Sequence, residues 1–148
     1  MFLATGNAME ALVDAVIPAL KGDTALTALL SGTGAVYTKV PQAQRTNHPY
    51  IRLSDPTQDD SFGAMGVGGG RVTVELDVWG RKPHTVHAVL ARAAVVLERR
   101  DLTLIGHTLT GGSLHCTESR VFDEPDPDMP DETLFHGHQT WEALVDEA

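Results

Sequence analysis

The chain has 148 residues, 42% of them hydrophobic, and a net charge of -9. That size supports one domain around one ordinary core, and no apolar run approaches the roughly 20 residues a membrane helix needs. A single cysteine, Cys116, excludes an intrachain disulfide and a cysteine-based zinc site. The segment Met1 to Gly6 has neither a basic start nor a long apolar stretch, so a protein kept in a cytoplasm, without a secretion signal, is expected.

The acidity is unevenly placed. Residues 118–148 carry ten carboxylates and one arginine, whereas the preceding 117 residues carry ten acids and ten bases. Phosphates are repelled by such a tail, so nucleic-acid binding through a basic face is excluded at this end. A solvated acidic loop accounts for the same charge.

Ala8 to Lys21 is expected to be a helix. Met9, Leu12, Val13, Val16, Ile17 and Leu20 recur at helical spacing and form one apolar stripe. Asn7 and Glu10 have the spacing of an N-cap and its partner. Pro18 argues for a kink or an early end, because it removes a donor and crowds the carbonyl of Asp14. A second helix follows over Thr24 to Leu30, with Asp23 as its cap and Gly32 as its stop. A short strand, Ala35 to Val40, leads into a turn-rich stretch from Pro41 to Pro49.

Tyr50 to Ser54 and Arg71 to Trp79 read as strands. In the second, Val72, Val74, Leu76 and Val78 share one face at period two. The connection from Asp55 to Gly70 is far longer than a hairpin turn, and long loops in compact domains usually carry function. No catalytic motif lies on it, so docking is its expected task. Phe62 and Met65 are large apolar side chains in this polar, glycine-rich segment, which points to a partner surface or a tucked-in loop.

Pro83 to Arg100 is expected to be helical, with Val86, Val89, Leu90, Ala93, Val96 and Leu97 on one face. Pro83 suits the first turn, and Arg99 and Arg100 suit the negative end of the helix dipole. Leu102 to Leu109 and Ser113 to Phe122 flank Gly111-Gly112 as a hairpin. Asp123 to Glu132 is an acidic, proline-punctuated loop, and Thr133 to Val145 a final strand. Grouped helices and hairpins define an α+β domain, with a mainly antiparallel sheet and helices packed on one face.

Motifs for chemistry are scarce. The chain has no P-loop, GxSxG, HExxH or dinucleotide fingerprint. Gly66 to Gly70 enters a strand rather than a helix N-terminus, which argues against a phosphate cradle. His84 and His87 are three apart on a helix, and His136 and His138 lie on one side of the last strand. Either pair could chelate a divalent ion with a nearby carboxylate, but neither spacing is diagnostic, and no metal ligand or cofactor is assigned. Nothing places a serine on a nucleophile elbow, and Cys116 reads as a small buried hydrophobe. Asp59-Asp60 and the carboxylates of 123–132 lack the pattern of a calcium loop. Trp79 and Trp141 read as core or edge residues, with an interface anchor as the second possibility.

Taken in order, these features resemble the tail terminator, or tail-completion, proteins of long-tailed bacteriophages and prophages. The resemblance is carried by Leu20 to Leu30 after the first helix, Val36-Tyr37 with Val40-Pro41-Gln42, and His48 to Leu53. It continues through the Val72 to Trp79 strand and ends in Asp126-Pro127-Asp128 and His136 to Val145. It implies a small α+β protein without catalytic residues, acting in the virion at the tail–neck junction after assembly in the host cytoplasm. It further implies a homo-hexameric ring that caps the finished tail tube, stops tube addition and offers the surface joining the filled head. Its partners would be the tail tube protein and a head–tail connector or neck protein, with DNA passing through the ring without sequence-specific binding.

Two sets of candidate contact residues follow. Asp59, Asp60, Phe62, Met65 and Val67 form the expected partner-contact loop. Asp126, Asp128 and Asp131 form the expected acidic channel surface, which would repel DNA and speed its passage. The alternatives are a neck or head-completion adaptor, a small histidine-metal enzyme, and a non-viral binding module.

Overall fold

The computed structural model describes residues 8–32, 34–54, 56–59, 70–127, 129 and 131–147. Asp60, Phe62, Met65 and Val67 of the expected contact loop, Asp128 of the expected channel surface and the cap candidate Asn7 lie outside them. The described residues form α1 (Ala8–Lys21), α2 (Thr24–Thr27), β1 (Val36–Tyr37), a 3-10 turn, β2 (Tyr50–Leu53), β3 (Thr57–Asp59), β4 (Gly70–Gly80), α3 (Pro83–Leu97), β5 (His107–Leu109), β6 (His115–Pro125) and β7 (Thr133–Glu147). The architecture is the expected α+β arrangement: a seven-stranded mixed sheet, antiparallel except where β1 pairs with β2. No described helix is long and apolar enough to cross a membrane.

The sheet is organised by β4 and β7, which pair over their full overlap from Gly70↔Val145 to Gly80↔Phe135. Alternation splits their side chains between two faces. Val72, Val74, Leu76 and Val78 of β4 and Trp141, Ala143 and Val145 of β7 enter the core. The core is closed by α1, through Leu12, Val16 and Leu20, and by α3, through Val86, Val89, Leu90, Ala93, Val96 and Leu97. The predicted stripe on α3 is buried along its whole length.

Two glycines set how closely α3 approaches. A Cβ on Gly137 would lie 2.6 Å from Val86 Cγ1, and one on Gly80 would lie 2.9 Å from Val86 Cγ2. The Val86 side chain therefore sits in a notch that only glycine leaves open.

Several expected boundaries move. Pro18 does not end α1, which runs on to Lys21. Pro18 and Asp14 are both exposed, so the carbonyl that loses its donor faces water. The helix α2 stops at Thr27 rather than Leu30, although Asp23 caps it as expected, accepting from the Leu26 N–H at 2.9 Å. Part of the long connection is itself a strand, because β3 pairs with β4 through Thr57↔Thr73 and Asp59↔Arg71. The helix α3 ends at Leu97, and Arg99 and Arg100 lie beyond it, Arg99 with φ of 55°.

The hairpin expected at Gly111-Gly112 is corrected. β5 and β6 do not pair with each other; both pair with β7 along the same edge. The 15-residue β7 is longer than either partner, so two strands cover its edge in succession. The gap between them is bridged at Leu144, whose carbonyl accepts from Thr110 N at 2.9 Å and whose N–H donates to Ser113 Oγ at 3.1 Å. β6 and β7 make the true hairpin, so Asp123 to Pro125 belong to a strand rather than to an acidic loop.

Candidate functional site

The sheet face turned away from the helices carries two adjacent rows of outward side chains. Register defines the first as Tyr50, Trp79, His136 and Phe122, and the second as Arg52, Asp77, His138 and Arg120. The first row is aromatic throughout. Tyr50 and Trp79 have centroids 5.6 Å apart, Trp79 stacks on His136 at 4.4 Å, and His136 meets Phe122 at 4.6 Å. Arg52 lies over the Trp79 ring at 5.0 Å, and Phe122 remains 38% exposed. An aromatic ladder of this kind, flanked by arginines, has the composition of a contact surface.

The second row centres on Asp77, which is 4% exposed although it sits on the outer face. Its Oδ1 accepts from His136 Nε2 at 2.7 Å and from His138 Nδ1 at 2.8 Å, while Arg52 approaches Oδ2 at 3.6 Å. Burial works to raise the Asp77 carboxyl, but the hydrogen bonds from both histidines outweigh it and hold the group below its ordinary value. The far nitrogens also face acceptors. His136 Nδ1 lies 3.7 Å from Glu124 Oε2, and His138 Nε2 lies 3.3 Å from Thr140 Oγ1 and 3.7 Å from Glu75 Oε1. Glu124 is itself held by Trp79 Nε1 at 3.0 Å. Sequence reasoning paired His136 with His138 but missed Asp77 and Glu124. The readable signal for Asp77 was its outward position in the alternation of β4.

The acidic turn between β6 and β7 is tied down rather than free. Asp126 is 2% exposed and lies 2.7 Å from Arg81 Nη1, which also meets Glu132 at 2.8 Å. Asp126 is thus a buried carboxylate within the chain, whereas Asp131 is exposed. Asp59, of the expected contact loop, is exposed on β3 and meets Arg71 at 3.2 Å. Of the two candidate sets, Asp59, Asp126 and Asp131 are the members among the described residues. Near the aromatic ladder lies an open cleft of about 720 Å³, lined by Lys39, Arg45, Trp79, Glu124 and Asp126 among others.

Elsewhere, Cys116 is half-buried, and burial pushes its thiol up, away from the reactive thiolate. Trp141 is a core residue, with its Nε1 donating to Gln139 Oε1 at 3.1 Å. β6 pairs only with β7 among the described residues, which leaves an 11-residue edge strand with exposed Thr117 to Arg120.

The comparisons make this mixed sheet, with its helices on one face and its aromatic outer face, a structural protein of the phage tail and neck. Residues 14–146 match the family described as Tail completion protein gp17, and the chain belongs to that family. A solved chain from "Virion of native gene transfer agent (GTA) particle" has the same fold, with a TM-score of 0.75, 24% identity, and coverage of 97% of this chain and 100% of that one. No curated protein matches the chain.

Proposed function

We propose that the protein completes the phage tail by capping the finished tube as a homo-hexameric ring, ending tube polymerisation and forming the surface to which the filled head is joined. The observation that carries this reading is the match to the tail-completion family across residues 14–146. The solved chain of the same fold comes from a virion, which supports an assembly role.

The geometry is compatible with a ring. Closed rings need head-to-tail contacts between two different patches of one surface. The edge of β6 that has no partner strand among the described residues and the aromatic ladder are two such patches on one chain. The segment with Asp60, Phe62, Met65 and Val67, next to Asp59, is assigned to contacts with the tube protein or the neck. Asp128 and Asp131 are assigned to an acidic channel wall that repels passing DNA. Asp126 serves that wall by pinning its turn to Arg81.

Purified protein added to polymerising tube protein tests the proposal. Shorter tubes bearing a ring at one end are expected. Tubes of unchanged length would instead favour the second reading, a neck or head-completion adaptor, for which the same surfaces serve a different neighbour. The protein acts by assembly and not by catalysis.

A further inference from the structure

We infer that Asp77, His136 and His138 form a binding site for a divalent first-row transition ion, with zinc as its natural occupant. The inference stands independently of the tail-capping role. The three potential ligand atoms lie within 4.8 Å of one another on the outer face of the sheet. The backbone sets this spacing. His136 and His138 project from the same face of β7, and Asp77 is the direct cross-strand partner of His138 on β4. Two imidazoles and one carboxylate form a recognised donor set for zinc and related ions, which leaves further positions for water.

The surroundings distinguish this cluster from an ordinary hydrogen-bonded histidine pair. Ligating histidines usually offer their second ring nitrogen to a carboxylate or another acceptor. Here each second nitrogen faces an acceptor, within hydrogen-bond reach for His138 and just beyond it for His136. His136 Nδ1 faces Glu124 Oε2 at 3.7 Å, and His138 Nε2 faces Thr140 Oγ1 at 3.3 Å and Glu75 Oε1 at 3.7 Å. His136 Nδ1 is buried and makes no hydrogen bond at its present distance from Glu124.

An ion bound at His136 Nε2 and His138 Nδ1 would move the ring protons to the far nitrogens. The His136 Nδ1–H would then point at Glu124, and the His138 Nε2–H at Thr140 or Glu75. Arg52, 3.6 Å from Asp77 Oδ2, leaves Oδ1 as the ligating oxygen. Each polar atom of the cluster thereby gains a role. The side chains of His136 and His138 are 15% and 12% exposed, so the cluster lies near the surface of the sheet rather than in the core between sheet and helices.

Titration of the full chain, freed of metal by a chelator, with Co(II) and then Zn(II) tests the inference. One equivalent of Co(II) should give visible ligand-field bands of a nitrogen- and oxygen-ligated ion, and Zn(II) should displace it. His136→Gln with His138→Gln should abolish these bands, with folding checked by circular dichroism. Glu124→Gln should weaken zinc binding by about 10–100-fold, as expected for a group that orients a ligand. A readout on the unmodified protein guards against misfolded variants: imidazole nitrogen resonances of His136 and His138 should shift on zinc addition while those of His84 and His87 do not. Absence of stoichiometric binding, shifts at other histidines only, or bands unchanged in the double variant would each overturn the inference.

Discussion

Asp23 and Arg92 form a two-pronged ion pair, with Nε to Oδ2 at 2.8 Å and Nη2 to Oδ1 at 2.9 Å, and the same Oδ2 caps α2 through Leu26 N. One carboxylate thus ends the α1–α2 connection and ties it to α3 across 69 positions of sequence. Fork-to-fork pairing fixes direction as well as distance. Asp23→Ala should cost about 1–2 kcal/mol, the usual worth of a helix cap, measured by chemical denaturation.

The same pair makes stability depend on pH. Hydrogen bonding from Arg92 holds the Asp23 carboxyl below its ordinary value. The unfolded chain has a carboxyl near about 3.9, so the folded form binds fewer protons in this range. The stabilisation is complete above about pH 5 and is lost as pH falls through the unfolded and then the lower folded value. Asp23→Asn keeps a capping oxygen but should remove this part of the acid-dependent loss, read as a flatter stability curve below pH 4.

Gly137 controls the seat of α3. An added Cβ would meet Val86 at 2.6 Å and Leu90 at 2.9 Å. Gly137→Ala should therefore destabilise the fold by about 1–3 kcal/mol, as overpacking does. Val86→Ala in the same chain should recover part of the loss, because it vacates the space that the new methyl needs. A double-mutant cycle measures that coupling.

Gln139 is a polar residue in the core. Its Nε2 donates to the Leu90 carbonyl at 3.0 Å, and its Oε1 accepts from Trp141. Gln139→Leu keeps the volume but strands the Trp141 N–H and removes a donor from the Leu90 carbonyl. A loss of about 1–3 kcal/mol per buried unsatisfied group is expected, despite the more apolar side chain. A stability equal to or above that of the original chain would contradict this account of the core.

Arg81 neutralises buried Asp126 and reaches Glu132. Arg81→Ala should destabilise the β6–β7 turn, by less than the 3–5 kcal/mol typical of a fully buried pair, roughly 2 kcal/mol, since Arg81 is a third exposed. Hydrogen exchange at Glu132 and Thr133 reads the effect locally.

The helical stripes were legible because burial of a helix face imposes a period that few other patterns mimic. The α3 residues from Val86 to Leu97 follow that rule, and Val72, Val74, Leu76 and Val78 of β4 follow the period of two, with Asp77 as the one outward residue of that run that is also buried. The Gly111-Gly112 region was misread because local turn signals say where the chain bends, not which strand it meets next. Pairing of β5 and β6 to β7 is decided by the length of β7, a distant feature. The outer-face cluster was half legible. Strand alternation joins His136 to His138, but Asp77 arrives through the β4–β7 register, which no local spacing encodes. Asp126 was placed on an acidic channel surface with no partner named, because Arg81 is 45 positions away in sequence.

On the proposed function, the protein ends tail growth and lets the head join. Electron microscopy of particles made without this gene tests it most directly. Filled heads lying apart from unjoined tails of uncontrolled length are predicted. Tails of normal length joined to heads, in infectious particles, would contradict it.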